Sequence, residues 1–331
     1  MSRTPFSDLT PELILDAVES VGLAPDGRML ALNSYENRVY QIGLADGPMM
    51  VAKFYRPERW SDAAIAEEHA FVTELAAREL PVVAPVAFGG ASLHHHCGMR
   101  FALFPRIGGR APELGDDATL EWMGRFIGRI HAVGALEPYR ARPAIDVASF
   151  GEEPRDWLLA HGFIPDDLLP AWTTTVAQAL DGVRRAFDRA GDVAQIRLHG
   201  DCHGGNVLWG DTRGGDGGPH FVDFDDSRMG PAMQDLWMLL SGERHEMSAQ
   251  LAAVLAGYED FHDFAPRELH LVEALRTLRL IHYSAWLARR WDDPAFPAAF
   301  SWFNTQRYWQ DRILELREQI ALMDEPPLWA V

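Results

Sequence analysis

Cysteine is nearly absent: Cys97 and Cys202 are the only two in 331 residues. That scarcity argues against a disulfide framework and suits a reducing cytoplasm. No apolar run reaches about 18 residues, so no membrane span is expected. The opening Met-Ser-Arg-Thr-Pro-Phe-Ser-Asp has no apolar core of a signal peptide, and none is expected. Basic residues are outnumbered, 30 Lys and Arg against 48 Asp and Glu, for a net charge of −18. Nonspecific nucleic-acid binding needs the opposite balance. The acid excess leaves room for a cationic substrate, although solubility alone also accounts for it. No internal repeat and no low-complexity segment occurs. Apolar residues are plentiful, at 47%, which suffices for one large or two medium domains.

The most informative stretch is 197–226. Two short apolar runs, Val207 to Trp209 and His220 to Phe224, flank a glycine-rich segment from Gly210 to Pro219, which reads as a β-hairpin with a long loop. Before it lie His199, Asp201, His203 and Asn206, and inside its second strand Asp223, Asp225 and Asp226. Carboxylates and a carboxamide gathered at one end of a hairpin are hard oxygen donors, which suit Mg²⁺ shared with substrate phosphates. A remaining carboxylate can orient or deprotonate a hydroxyl. This chemistry suggests phosphoryl transfer.

Upstream, Thr10 and Pro11 begin a helix that Gly22 ends. Strands are expected at Leu30 to Ser34, Arg38 to Ile42 and Met49 to Phe54, forming a small antiparallel sheet. The tip Asn33-Ser34-Tyr35-Glu36-Asn37 is either a polar turn or a phosphate-facing one. Lys53 sits in the apolar Val-Ala-Lys-Phe, where a buried ammonium needs an anion unless it snorkels to water. A helix from about Ser61 to Arg78 can supply the anion. At about 100° per residue, Glu68 falls on its Ile65/Val72/Leu75 face and Glu67 points to solvent. Strands follow near Val86 to Phe88 and Arg100 to Phe104. His94-His95-His96-Cys97 between them is a polar hairpin turn or a metal site; residue alternation and the lack of a second ligand cluster favour the turn. Phe104-Pro105-Arg106-Ile107-Gly108-Gly109-Arg110 marks the domain junction.

Beyond the junction the chain is mostly helical. Helices are expected over 119–133, as two segments within 154–190, and over 231–241, 245–261, 266–292 and 304–323. Trp286, Trp291, Trp302 and Trp309 read as core or groove aromatics. The whole is α+β: a β-sheet domain with one key helix over 1–104, a hinge over 105–110, and a helical domain over 111–331. His199 reads as a brace for its loop. Asp235, the one acid of an apolar helix, reads as an acceptor for that loop's backbone.

The order of these parts resembles the protein-kinase-like superfamily, in its aminoglycoside and choline kinase branch. His199-Gly200-Asp201-Cys202-His203-Gly204-Gly205-Asn206 looks like that branch's catalytic loop, and Phe221-Val222-Asp223-Phe224-Asp225 like its metal-binding strand. Asn33 to Tyr40, Lys53 to Trp60 and Gln234 to Leu240 are similar to the bacterial stress response kinase A family. That family consists of cytoplasmic serine/threonine protein kinases, and the likeness extends through Trp291 to Pro297.

The resemblance implies a bilobal kinase fold, ATP and Mg²⁺, a protein substrate phosphorylated on Ser or Thr, and a monomer. It implies Asp201 as the catalytic aspartate, with Asn206 and Asp223 as magnesium ligands. Ser34 would contact ATP in the phosphate turn, and Lys53 would pair with Glu68 while reaching the α- and β-phosphates. Asp225 is a further candidate for a second metal, and His203 for a contact to acceptor or phosphate. Residues 102–107 match the adenine hinge. Pro105 has no N–H, so contacts would fall to the Phe104 carbonyl and the Arg106 or Ile107 N–H. The phosphate turn lacks the glycines of typical protein kinases, and no Ala-Pro-Glu motif or long activation segment is present. A small-molecule kinase for an amino alcohol, sugar or antibiotic remains the rival reading.

Overall fold

The computed structural model describes residues 5–210 and 218–329. Helix α1, Pro11–Glu19, begins where Thr10 Oγ1 accepts from the Leu13 N–H at 3.3 Å with proline in the first turn. Strands β1 (Pro25–Ala31), β2 (Arg38–Leu44), β3 (Met50–Phe54), β4 (His94–His96) and β5 (Met99–Pro105) make one antiparallel sheet ordered β1-β2-β3-β5-β4. Ile42, Ala52, Phe54, Phe101 and Leu103 are buried in its core together with Ile14 and Val18 of α1. Helix α2, Asp62–Ala77, is capped by Ser61, whose Oγ accepts from the Ala64 N–H at 3.2 Å.

Two local expectations change. Residues 86–88 form only a single bridge, Phe88 with Ala91, and the histidine run is itself the strand, paired with Met99 to Phe101. The turn lies at Cys97-Gly98, both in the left-handed region with φ of +46° and +78°. Strand alternation separates the imidazoles: His94 packs 5.4 Å from the Phe101 ring, while His95 Nε2 lies 3.0 Å from Asp62 Oδ2. Among the described residues, no group of three or more His, Cys, Asp or Glu could hold a metal.

The described chain divides into two compact units. The first falls within Met1–Pro112, Arg140–Arg142 and Gly204–Asp226. It thus takes in the hairpin of β7 (Val207–Gly210) and β8 (Gly218–Phe221), which sequence reasoning groups with the helical domain. Backbone bonds explain the membership. Val83 N–H donates to Phe221 O at 3.0 Å, Phe221 N–H to Pro81 O at 2.8 Å, and Trp209 N–H to Arg110 O at 2.7 Å. Residues 211–217, within the expected glycine-rich loop, lie outside the described residues.

The second unit falls within Glu113–Tyr139, Pro143–His203 and Ser227–Val331. Its helices are α3 (Asp117–Gly134), α4 (Glu153–Ala160), α5 (Leu169–Ala190), α6 (Met233–Trp237), α7 (Arg244–Tyr258), α8 (Val272–Ala288), α9 (Ala295–Ala299) and α10 (Gln306–Met323). Strands β6 (Ile196–Arg197) and β9 (Met229–Gly230) pair antiparallel. The helix expected over 231–241 contracts to α6, and that expected over 266–292 opens as a tighter turn, Pro266–Leu271, before α8. Gly124 lets α3 and α7 touch: a Cβ there would stand 2.0 Å from Val254 O, a collision only glycine avoids. Trp309 is fully buried against Trp172, whereas Trp302 is 46% exposed.

Candidate functional site

In the first unit, β3 places Lys53 opposite Val39 on β2 and Ala102 on β5. Its ammonium is buried, 3.0 Å from Asp223 Oδ1 and 3.1 Å from Asp225 Oδ1. Burial alone would depress its pKa; the two aspartates, with a smaller contribution from Glu68, more than offset that and hold it well above the usual lysine value. The expected Lys53–Glu68 ion pair is therefore replaced. Glu68 is inward and buried, but its Oε2 accepts from Arg142 Nη2 at 2.9 Å. The same guanidinium donates through Nε to Ala64 O at 2.8 Å and through Nη1 to Asp225 O at 2.9 Å, and lies 4.5 Å from the Trp60 ring centre. Glu67 also departs from expectation. Its carboxylate accepts from the N–H groups of Arg140, Ala141 and Arg142 at 2.8, 2.9 and 3.2 Å. It thereby binds the segment that delivers Arg142.

Asp223 does not lie within the second strand of the hairpin. It follows β8 in the left-handed region at φ +61°, with its side chain 56% exposed. Asp is among the few side chains that tolerate this conformation, which turns the carboxylate outward. Val222 N–H donates to Asn206 O at 3.0 Å, so backbone pairing registers the Asn206 and Asp223 ends of the hairpin. Asp225 is different. It is buried, its Oδ2 accepts from Arg59 Nη1, and its Oδ1 faces Lys53. Burial would raise its pKa, but Arg59 and Lys53 prevail and bring it down to about 2. Both oxygens of this carboxylate thus face cations of the chain itself. Arg59 continues to Asp226 Oδ1 at 2.7 Å and stands 3.8 Å from Glu36 of the phosphate turn.

Ser34 closes that turn. Its Oγ accepts from the Val39 N–H at 3.2 Å and donates to Leu32 O at 3.5 Å. Asn37 is buried, its Oδ1 accepting from the Arg56 N–H at 3.0 Å. Side-chain anchors thus hold the turn in place of glycines. In the hinge, Phe104 pairs with Val51, Pro105 pairs with Met50, and Arg106 Nε donates to Gln41 Oε1 at 3.3 Å. Behind Lys53, His69 bridges Tyr55 Oη at 2.7 Å and Ser92 Oγ at 2.9 Å. Burial first, then Lys53 and Arg142, push its pKa down to about 3. The folded imidazole therefore stays neutral while the unfolded one takes a proton near pH 6.5. Stability should fall by about 1.4 kcal/mol per pH unit as pH drops through that window. Urea unfolding of His69→Gln should show a flatter acid limb than the unsubstituted protein; an equal slope would refute the assignment.

In the second unit, the loop that begins at His199 hangs on one buried carboxylate. Asp235 of α6 accepts from the His199 N–H at 2.8 Å and the Gly200 N–H at 2.8 Å, and lies 3.0 Å from His131 Nε2 of α3. His131 Nδ1 in turn lies 2.9 Å from Tyr258 Oη. Gly200 adopts φ +87°, a conformation that favours glycine, and its carbonyl accepts from Gln234 Nε2 at 3.2 Å. His199 is fully buried, its Nδ1 accepting from the Asp201 N–H at 3.3 Å. Asp201 is partly exposed, with Arg279 Nη1 of α8 2.8 Å from Oδ1 and His203 Nε2 3.5 Å from Oδ2. Burial, then the neighbouring Asp235 and Asp201, raise the Cys202 thiol well above its usual pKa, which makes it a poor nucleophile.

Arg59, Arg142, His131 and Arg279 were not singled out from sequence. Arg59 lies within the quoted Lys53 to Trp60 stretch, whereas Arg142 sits in a short Arg-Ala-Arg-Pro connection that carries no periodicity.

Hard oxygen donors suit a divalent cation at Asn206 and Asp223. Two such donors, one exposed by its backbone conformation, would leave an ion's remaining positions to water and phosphate oxygens.

The profile of the Phosphotransferase enzyme family matches residues 29–272. Serine/threonine protein kinase RdoA of Salmonella typhimurium (strain LT2) is 45% identical over 323 residues, 98% of this chain and 96% of that protein. Stress response kinase A of Escherichia coli (strain K12) is 43% identical over the same shares. Among solved structures, amicoumacin kinase hAmiN in complex with AMP-PNP, Ca²⁺ and Ami superposes with a TM-score of 0.70. It is 17% identical, covering 94% of this chain and 93% of that one. At that identity the superposition speaks to fold alone.

Proposed function

Because this chain belongs to the Phosphotransferase enzyme family and, within it, to the stress response kinase A family, we propose that it is an ATP-dependent serine/threonine protein kinase. The observation that carries the protein acceptor is 45% identity over 98% of the chain to a relative named a serine/threonine protein kinase. Amicoumacin kinase, which shares the fold, is only 17% identical.

In this reading Lys53 contacts the α- and β-phosphates, Ser34 and its turn the outer phosphates, and the backbone around Phe104, Arg106 and Ile107 the adenine. Asn206 and Asp223 would hold Mg²⁺, which would offset phosphate charge. Asp201 orients the acceptor hydroxyl and accepts its proton. The acceptor oxygen bonds to the γ-phosphorus as the bond to ADP breaks. The protein does little covalent chemistry of its own, so positioning and electrostatics supply the catalysis. Lys53 is pre-charged for this role, because Asp223 and Asp225 keep it cationic despite burial.

Among the described residues no helix is long and apolar enough to cross a membrane, and both cysteines are free. A cytoplasmic monomer is the reading we adopt. The test is incubation with labelled ATP and Mg²⁺, with mixed protein acceptors in one arm and small amino alcohols in the other. Label on protein Ser or Thr is expected; label on the amino alcohols alone would overturn the protein-kinase reading.

A further inference from the structure

The carboxylate assigned to the acceptor is flanked by a guanidinium and an imidazole. Arg279 Nη1 lies 2.8 Å from Asp201 Oδ1 and His203 Nε2 lies 3.5 Å from Oδ2. Neither neighbour is buried: the Arg279 side chain is 35% exposed and that of His203 is 42% exposed, around an Asp201 at 22%. An ion pair built for stability would be enclosed. Arg276, one turn earlier on α8, is matched by Glu273 at 3.2 Å and packs over the Trp237 ring. Arg279 has Asp201 as its ion partner among the described residues.

An acceptor hydroxyl that takes Asp201 Oδ1 competes with Arg279 for that oxygen and loosens the ion pair. The guanidinium, solvent-accessible and on a flexible stem, then needs a new anion. An acceptor can supply one if a carboxylate or phosphate lies next to its hydroxyl. An ammonium at the same place would meet like charge a few ångströms away, in a half-exposed setting where such repulsion is felt. The chain's overall net charge of −18 leaves room for a cationic acceptor, but the guanidinium of Arg279 puts a positive charge beside Asp201.

We propose that Arg279 is an acceptor-selecting residue that favours Ser or Thr hydroxyls flanked by acidic side chains and rejects those flanked by basic ones. This rests on the protein-kinase reading above and narrows its substrate class. In the resting enzyme Arg279 positions Asp201; with acceptor bound it engages the acceptor's anion. Arginine suits the exchange because its planar fork matches carboxylate and phosphate alike.

The test uses the full chain and a peptide library with one central Ser or Thr and degenerate flanks. The unsubstituted enzyme should prefer Asp/Glu over Lys/Arg flanks by about tenfold or more in kcat/KM, the factor that about 1.4 kcal/mol of charge selection gives. Arg279→Gln should erase the preference mainly through KM, Arg279→Glu should invert it, and Arg279→Lys should restore part of it. Unchanged ATP affinity and far-UV circular dichroism would show that the variants fold. Phosphorylation of the library with no charge preference, or a preference that survives in Arg279→Glu, overturns the role of Arg279 and leaves the protein-kinase reading intact. No phosphorylation of any peptide, with turnover of small amino alcohols, overturns both.

Discussion

Asp201→Ala should lower turnover by about 10²- to 10⁴-fold while ATP affinity stays near that of the unsubstituted protein. The expectation rests on a division seen within the chain. The groups assigned to nucleotide and metal, Lys53, Asn206 and Asp223, belong to one compact unit, and Asp201 belongs to the other. The loop's His199 and Gly200 are anchored by backbone bonds that run to Asp235. Removing the Asp201 carboxylate frees Arg279, whose side chain is 35% exposed and can be hydrated. The substitution should therefore affect chemistry and spare folding. Asp201→Asn separates charge from shape: it keeps a hydrogen-bond acceptor for the hydroxyl and loses the site for its proton. Single-turnover rates close to those of the unsubstituted enzyme in both variants would remove Asp201 from the mechanism.

Arg142→Ala should be the most damaging change to stability. Its guanidinium is buried and binds Glu68 Oε2, Asp225 O and Ala64 O. Truncation strands the Glu68 carboxylate, which burial already pushes above its usual pKa even with Lys53 and Arg142 opposing. Removing one member of such a buried pair costs about 3–5 kcal/mol, a Tm loss of roughly 10 °C. The pH dependence identifies the cause. A carboxyl whose folded pKa is raised favours folding below its unfolded pKa, and that contribution is lost as pH rises through the folded value. The penalty in Arg142→Ala should therefore shrink toward acid, where Glu68 is protonated, and grow toward neutral pH. Adding Glu68→Gln should recover much of the loss. A penalty that is flat with pH and not rescued by Glu68→Gln would trace the damage to lost packing against Trp60, 4.5 Å away.

The two substitutions probe different kinds of information in the chain. Periodicity on α2 correctly turned Glu68 inward, since which face of a helix is buried is a local property of spacing. It could not name the partner: Arg142 stands 74 residues away in an irregular connection, and long-range pairing leaves no periodic trace. The same limit applied to Lys53. Its need for an anion followed from a lysine in an apolar strand, but the anions are Asp223 and Asp225, about 170 residues on. Glu67 faced away from the helix's core face as expected, yet it is engaged, because a passing segment brings three backbone N–H groups to it.

The sequence by itself determined the α+β order of elements, the two-strand hairpin, the helix starts at Thr10 and Ser61, and the composition of the loop from His199 to Asn206. These depend on residues within a few positions of one another, where caps, alternation and turn chemistry act. Only the tertiary structure decided which charges neutralise which. It set Asp225 between Arg59 and Lys53, turned Asp223 outward at φ +61°, tied the hairpin to the first unit, and set Arg279 against Asp201. A buried or half-buried charge must find its counter-ion wherever folding places one, and that choice is made in space and not along the chain.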